Sequence, residues 1–198
     1  PLPDRPLSEF LASAADWLPK RPATVFQGSK LTYAQLNQRA NQFAHTLRGL
    51  GVRPGDRVMI LLPNTPDLVI AFYGVLRAGG VVVLPSLRGD AAQVVEEARS
   101  TSAEVFVTLQ DFGALGQALV AQAGVREVLT GTIARALSPS ARRAMLQSVG
   151  FPADAPQVEA PPMGRLLAGL LQDAPTNAID LTRSSSDFSV PWSPSLTG

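Results

Sequence analysis

Residues 31–64 read LTYAQLNQRANQFAHTLRGLGVRPGDRVMILLPN, and they predict one amphipathic helix followed by one buried strand. Thr32 and Gln35 have the spacing of a capping box, in which two side chains satisfy backbone N–H groups at a helix start. Gly51 ends the helix, and residues 57–62 form the continuous apolar run of a strand that is covered on both faces. Apolar residues of the helix recur on one face, at Leu36, Ala40, Phe43, Leu47 and Leu50.

The same alternation of helix and strand patterns extends from residue 7 to about residue 129. Helices are predicted over 65–76 and 90–100, and strands over 81–84 and 105–107. This order is typical of the α/β class, and it predicts a mostly parallel sheet flanked by helices.

Individual residues carry more specific expectations. Thr65 is predicted to cap the helix that begins at Pro66, and Asp90 with Gln93 three residues later is predicted to cap the next one. In the first helix, the predicted core face holds the large apolar side chains Phe10, Leu11 and Trp17.

Composition excludes several classes of function. The 198 residues carry one more Lys or Arg than Asp or Glu, which argues against a nucleic-acid partner. No Cys is present and His45 is the only His, so disulfides and thiolate zinc sites are excluded and no metal site is predicted.

Residues 68–84 are apolar, but Arg77 and a Gly pair divide them into a helix-length and a strand-length piece, which favours buried core over a membrane span. Without a secretory signal pattern, a cytoplasmic location is predicted.

After residue 130 the sequence changes character. A basic helix is predicted over 138–149, a short apolar helix over 163–171, and a linker or disordered tail from 173 onwards. The predicted organisation is therefore an α/β unit at 1–130, a divergent helical segment at 131–172 and a tail at 173–198. A weak contact with an anionic membrane surface is kept as an alternative for the Arg-rich patch of the second segment, which contains Arg135, Arg142 and Arg143.

Three stretches in order, at 31–51, 51–64 and 70–83, resemble conserved segments of the adenylate-forming enzymes. They correspond to that superfamily's "LTYxEL…A…L…GV", "GVxxGDRVxxxLPN" and "ayyGxLkAGavvv" segments. The chain is most similar to fatty acyl-CoA ligases, which are AMP-forming acyl-CoA synthetases. The resemblance implies activation of a carboxylic acid by ATP to an acyl-adenylate and transfer of the acyl group to coenzyme A.

The resemblance also implies a phosphate-cradling loop rich in Ser, Thr and Gly. Its nearest counterpart is the end of the chain, where the candidate residues are Ser193, Ser195, Thr197 and Gly198. Pro194 has no N–H to offer a phosphate, so this counterpart is degenerate. A Ser/Pro tail that ends in Thr-Gly without any binding role is the alternative.

The family's other motifs would follow residue 198, so we expect the chain to be the N-terminal part of a longer ligase. No catalytic residue is assigned, and whether the chain itself is an enzyme is left open. ATP, Mg²⁺ and CoA are implied for a full-length enzyme, and none is expected to bind this chain alone. The expected partners are the remainder of the ligase chain and a fatty or other carboxylic acid. Two alternatives stay open: a non-catalytic paralogue that binds a partner, and a piece of another adenylate-forming enzyme, such as an amino-acid adenylation domain or a luciferase-like enzyme.

Overall fold

The computed structural model describes most of the first 131 residues and short pieces beyond them. The described residues are 6–85, 90–109, 112–131, 140, 144, 164–166, 171–172 and 174–179. The helices in this part of the chain are α1 (Leu7–Trp17), α2 (Tyr33–Gly49), α3 (Pro66–Arg77), α4 (Ala91–Thr101) and α5 (Gly113–Ala123). The strands are β1 (Pro22–Phe26), β2 (Ser29–Thr32), β3 (Arg57–Leu61), β4 (Val81–Val83), β5 (Val105–Leu109), β6 (Glu127–Gly131) and β7 (Gly164–Leu166).

Five of these strands form one sheet in the order β4-β3-β5-β6-β7, and every pair in it is parallel. The predicted α/β class with a parallel sheet is therefore confirmed. Because the chain moves from β3 to β4 in one direction and then returns past β3 to β5, right-handed crossovers place α3 on one face of the sheet and α4 with α5 on the other. Helix α2 packs on α3, and α4 packs on α5, as this arrangement requires.

The strands β3 and β5 form the centre of the core. Each residue of β5 is buried, and in β3 all but Arg57 are buried, so these strands are covered on both faces as the sequence predicts. Strand β4 lies at the edge of the sheet among the described strands. Its first residue, Val81, and Leu84, which follows it, are exposed.

Local signals predicted α2 and α4 correctly. Thr32 and Gln35 form both hydrogen bonds of the capping box, at 3.2 and 2.9 Å. Asp90 Oδ1 accepts a 2.9 Å hydrogen bond from the backbone N–H of Gln93 at the start of α4. Four of the five apolar residues predicted on the α2 face are fully buried, and Leu50, which follows the helix, is half-buried.

Helices α2 and α3 approach closely at Phe43 and Gly74. Phe43 is 0% exposed, and a β carbon added to Gly74 would lie 2.6 Å from Cδ1 of its ring. Backbone also limits the space, since that β carbon would lie 3.1 Å from the carbonyl oxygen of Ala40. The aromatic ring therefore rests directly on the backbone of α3.

The core prediction for α1 was wrong at two positions. Leu11 and Ala15 are buried, whereas Phe10 is half-exposed and Trp17 is 86% exposed. Leu11 and Ala15 are four residues apart and define the face that packs on α2 and α3. Trp17 lies six residues after Leu11, which places it on the far side of a helix with 3.6 residues per turn.

The sequence prediction also missed or misassigned regular structure. Strands β1 and β2 form an antiparallel hairpin whose turn, Gln27-Gly28, has two positive φ angles of 48° and 80°. Helix α5 was not predicted; its Gly116 lies where a β carbon would be 3.1 Å from Val128 of the neighbouring strand. The predicted helix over 163–171 is wrong for 164–166, which pair with β6 as a strand. Most of the predicted basic helix over 138–149 lies outside the described residues.

Replacing Phe43 tests the packing of α2 on α3. We expect Phe43→Ala to lower the free energy of unfolding by about 3 to 5 kcal/mol, since it removes a fully buried ring and leaves a cavity. Denaturant unfolding followed by circular dichroism measures the change. Trp17→Ala is the control and should stay within about 0.5 kcal/mol, because that side chain is exposed. Equal effects of the two substitutions would contradict the packing.

Gly74→Ala tests the same contact from the other helix. The added methyl would collide with the ring of Phe43, so we expect a loss of about 1 to 3 kcal/mol from overpacking. Gly49→Ala is the matched control within α2, where nothing lies within 4 Å of an added β carbon, and it should be neutral or slightly stabilising. The double variant Gly74→Ala with Phe43→Leu should recover part of the loss. Additive losses in the double variant would argue against a direct contact.

Candidate functional site

The strand order defines one position in the sheet where a ligand crevice is expected. The chain leaves β3 toward the face of the sheet that carries α3, and it leaves β5 toward the opposite face, which carries α5. None of the described helices therefore covers the space between the carboxyl ends of these two strands. In open α/β sheets, ligands bind in the crevice outside the carboxyl ends of the strands at such a reversal. We therefore take the carboxyl edge of β3, β5 and β6 as the candidate site.

The chain leaves β3 and enters α3 at this edge. Asn64 is exposed there, and Thr65 is 4% exposed. Thr65 occupies the capping position as predicted, but its side chain makes no capping hydrogen bond. The backbone explains this correction: Leu68 N–H donates to the carbonyl oxygen of Thr65 at 3.1 Å, and Pro66 has no N–H. Among the described residues, the Thr65 hydroxyl has no hydrogen-bond partner.

Asp67 brings negative charge to this edge. Its carboxylate lies against the end of β6, because a β carbon on Gly131 would be 2.9 Å from Oδ2 of Asp67. The same point is 3.6 Å from the carbonyl oxygen of Thr108 on β5. A side chain at position 131 would require the Asp67 carboxylate to move.

Two threonines face each other in register on β5 and β6. Thr108 is paired with Thr130, and both are 0% exposed. The Thr108 hydroxyl donates to the carbonyl oxygen of Leu61 at 3.1 Å, which ties the ends of β5 and β3 together. The Thr130 hydroxyl has no hydrogen-bond partner among the described residues.

This edge does not fit a triphosphate. Phosphates are held by backbone N–H groups and cations, but here the first helical residue is Pro66 and the second is the acidic Asp67. Groups of three or more His, Asp or Glu that could hold a metal ion are absent from the part of the chain that the structure describes. The Asp67 carboxylate, which only accepts hydrogen bonds when ionised, would repel an anion at this edge.

The residues proposed from sequence lie elsewhere. Ser193, Ser195, Thr197 and Gly198 are outside the described residues, as are the arginines of the predicted basic patch. His45 is half-buried on α2, where its Nε2 lies 2.8 Å from the carbonyl oxygen of Asn177.

Sequence reasoning missed a buried polar cluster between α2 and α3. Arg77 was interpreted only as an interruption of an apolar run, but it is 7% exposed and bonded to Asn37 and Asn41. The available signal was the pair Asn37 and Asn41, which stand four residues apart beside the apolar face of an amphipathic helix.

Comparison with known proteins gives the family. The family model described as AMP-binding enzyme matches residues 11–173. The chain belongs to the AMP-binding enzyme family. The solved apo structure of MbtA from Mycobacterium smegmatis superposes on this AMP-binding chain with a TM-score of 0.66 and 28% identity, over 89% of this chain and 29% of that one.

The chain is similar to two differently named kinds of enzyme at nearly the same level of identity. A long-chain-fatty-acid–CoA ligase of Bacillus subtilis is 37% identical over 109 residues, which cover 55% of this chain and 20% of the ligase. Triostin synthetase I of Streptomyces triostinicus is 35% identical over 109 residues, which cover 55% of this chain and 21% of the synthetase. The matched part of this AMP-binding chain thus spans about a fifth of each relative. None of its described helices is long and apolar enough to cross a bilayer.

The paired threonines give a matched test of the edge. We expect Thr108→Val to destabilise the chain by about 0.5 to 1.5 kcal/mol, because it removes a buried hydrogen bond. Thr130→Val should be neutral or should stabilise by about 1 kcal/mol, because a buried hydroxyl without a partner costs free energy. Thermal and denaturant unfolding of both variants measure the difference. A destabilising Thr130→Val would show that this hydroxyl bonds to a group outside the described residues.

Proposed function

We propose that this chain is the N-terminal part of an AMP-forming acyl-CoA synthetase that activates a fatty acid. The observation that supports this most directly is the family match over residues 11–173 together with the similarity to a long-chain-fatty-acid–CoA ligase. In the proposed reaction, ATP and the carboxylic acid give an acyl-adenylate and pyrophosphate, and the acyl group then passes to the thiol of CoA with release of AMP.

The role of this chain in that reaction is to form one wall of the larger enzyme. Residues 1–130 supply most of the parallel sheet, and its fifth strand, β7, comes from the second proposed segment, 131–172. The proposed tail, 173–198, completes the division of the chain. Ser193, Ser195, Thr197 and Gly198 are the proposed remnant of the phosphate loop. The partner is the remainder of the ligase chain, and ATP and Mg²⁺ would be bound largely by that remainder, since the carboxyl edge described above does not favour a triphosphate. We propose a cytoplasmic location, where ATP and CoA are available.

A second candidate is a piece of an enzyme that activates a different acid. The similarity to triostin synthetase I, nearly equal in identity and extent to that of the fatty-acid ligase, favours this candidate. Both candidates share acyl-adenylate formation and differ only in the acid and in the acceptor thiol. A non-catalytic paralogue is the third candidate, and it predicts no activity in any longer product of the same gene.

We predict that the 198-residue chain alone catalyses no exchange of labelled pyrophosphate into ATP. The reaction requires positioned donors and cations around the phosphates, and loss of one such donor alone costs about 3 to 4 kcal/mol in the transition state. The assay supplies Mg²⁺, ATP and acids from acetate to palmitate, with boiled protein as the control. Exchange clearly above that control would contradict the proposal that the remainder of the ligase chain is needed to bind ATP and Mg²⁺.

The longer product of the same coding region decides among the three candidates. We expect exchange with fatty acids and acyl-CoA formation when CoA is added. Exchange with amino acids or aryl acids, without transfer to CoA, would favour the second candidate. Absence of exchange with every acid from a folded product would favour the paralogue.

A further inference from the structure

An apolar line of side chains on α1 is open to solvent. Trp17 is 86% exposed, and Phe10 and Leu7 are about half exposed. Ala14, which is half-buried, lies between the two aromatic residues. These four positions are three, four and three residues apart, so they follow one side of the helix over its whole length. We call Leu7, Phe10, Ala14 and Trp17 the α1 stripe.

The α1 stripe is separate from the face by which α1 packs on the rest of the chain. Leu11 and Ala15 are buried and form that packing face. Glu9 and Asp16 are exposed and form a third, acidic side. Phe10 lies between Glu9 and Leu11 in sequence, so it is rotated about 100° from each of them around the helix axis. Helix α1 therefore has one face for its own fold, one for solvent and one apolar face left over.

The residue types of the α1 stripe indicate a contact with another surface. Aromatic residues, Trp above all, are enriched in the centres of protein interfaces, where they bury a large area at low cost in side-chain entropy. Anchors at this helical spacing are typical of an amphipathic helix that lies in an apolar groove. What remains is to decide which surface supplies the groove.

A lipid surface does not fit the charges of this helix. No Lys or Arg occurs in α1, and Glu9 and Asp16 give it two negative charges. Anionic membrane surfaces attract basic segments and repel acidic ones, so α1 would approach such a surface against an electrostatic barrier.

A second copy of this chain does not fit the area. With about 200 Å² for each aromatic side chain when fully buried, the α1 stripe offers about 400 Å² in its partly exposed state. A stable interface between separate proteins buries about 800 Å² on each partner. The stripe alone therefore provides about half of what a stable dimer requires.

We propose that the α1 stripe docks into an apolar groove on the remainder of the ligase chain. The inference rests on the proposed function, in which this chain is the N-terminal part of a longer enzyme. The chain covers 29% of MbtA, and its matched part covers about a fifth of each relative, so a ligase of that length has ample further chain to form the groove. Within one polypeptide the effective concentration of a docking segment reaches about the millimolar range, and a surface too small for a stable dimer is then sufficient.

Ala14→Cys places a reporter inside the α1 stripe and leaves both aromatic anchors in place. The 198 residues contain no Cys, and alkylation of the peptide around position 14 by N-ethylmaleimide can be followed by mass spectrometry. We expect this thiol to react about tenfold more slowly in the longer product of the same coding region than in the 198-residue chain, because a docked thiol reacts only when the contact opens.

The anchors and a matched control site identify the contact. Adding Phe10→Ser and Trp17→Ser to the longer product should restore fast labelling at position 14. Both residues are at least half exposed, so the circular dichroism spectrum of the 198-residue chain should not change with them. Ala92→Cys, at an exposed position of α4, is the control and should react at the same rate in both products. Fast labelling at position 14 in the longer product, or equal slowing at both sites, would overturn the proposal.

The other two occupants give different results with the 198-residue chain carrying Ala14→Cys. Labelling that slows as the protein concentration rises would identify a second copy as the partner. Labelling that slows on vesicles of phosphatidylcholine and phosphatidylserine would identify a lipid surface. Either result would overturn the assignment to the remainder of the ligase chain.

Labelling requires no catalysis, so this inference and the proposed function can fail separately. A longer product that forms acyl-CoA but labels rapidly at position 14 would overturn the docking of the α1 stripe alone. A longer product that is protected at position 14 but inactive with every acid would overturn the proposed reaction and leave the docking intact.

Discussion

The contact between the ring of Phe43 and the backbone of α3 at Gly74 is the constraint on which the helical layer depends. Because position 74 has no side chain, α2 and α3 approach closely enough for the ring to be fully buried between them. That approach also brings Arg77, one turn later on α3, within hydrogen-bond distance of Asn41 on α2. The apolar contact and the buried polar cluster are therefore two parts of the same interface. A larger separation of α2 and α3 at Gly74 would also break the hydrogen bond between Arg77 and Asn41.

Sequence reasoning succeeded where the deciding interactions are local. The capping box of Thr32 with Gln35 and the apolar run of β3 can be recognised from neighbouring residues, and both are present.

Sequence reasoning failed where contacts between distant residues determine the structure. Residues 164–166, Gly-Arg-Leu, show no local pattern that separates helix from strand, and their pairing with β6 makes them a strand. The turn at Gln27-Gly28 lacks the Asn-Gly or Asp-Gly signature that usually reveals a hairpin, so β1 and β2 went unpredicted.

The candidate site was less predictable than the fold. The edge that holds Asp67 and the paired threonines exists because β5 pairs with β3 on the side opposite β4, and no local pattern encodes that strand order. The residues chosen by resemblance, Ser193 to Gly198, lie outside the described residues, so that choice stays a prediction. Arg77 illustrates a different limit: a charged residue in an apolar helix is recognisable from sequence, but its partners on another helix are not.

Among the described strands, β4 forms one edge of the sheet, and this edge affects how the isolated chain behaves in solution. A strand with unpaired backbone groups on one side is a template for pairing with another molecule, and exposed Val81 and Leu84 add apolar surface to it. Strand β4, however, is only three residues long, and so short an edge offers few hydrogen bonds to an incoming strand. Self-association through this edge should therefore be weak and reversible, which would keep the chain tractable at the concentrations that spectroscopy requires.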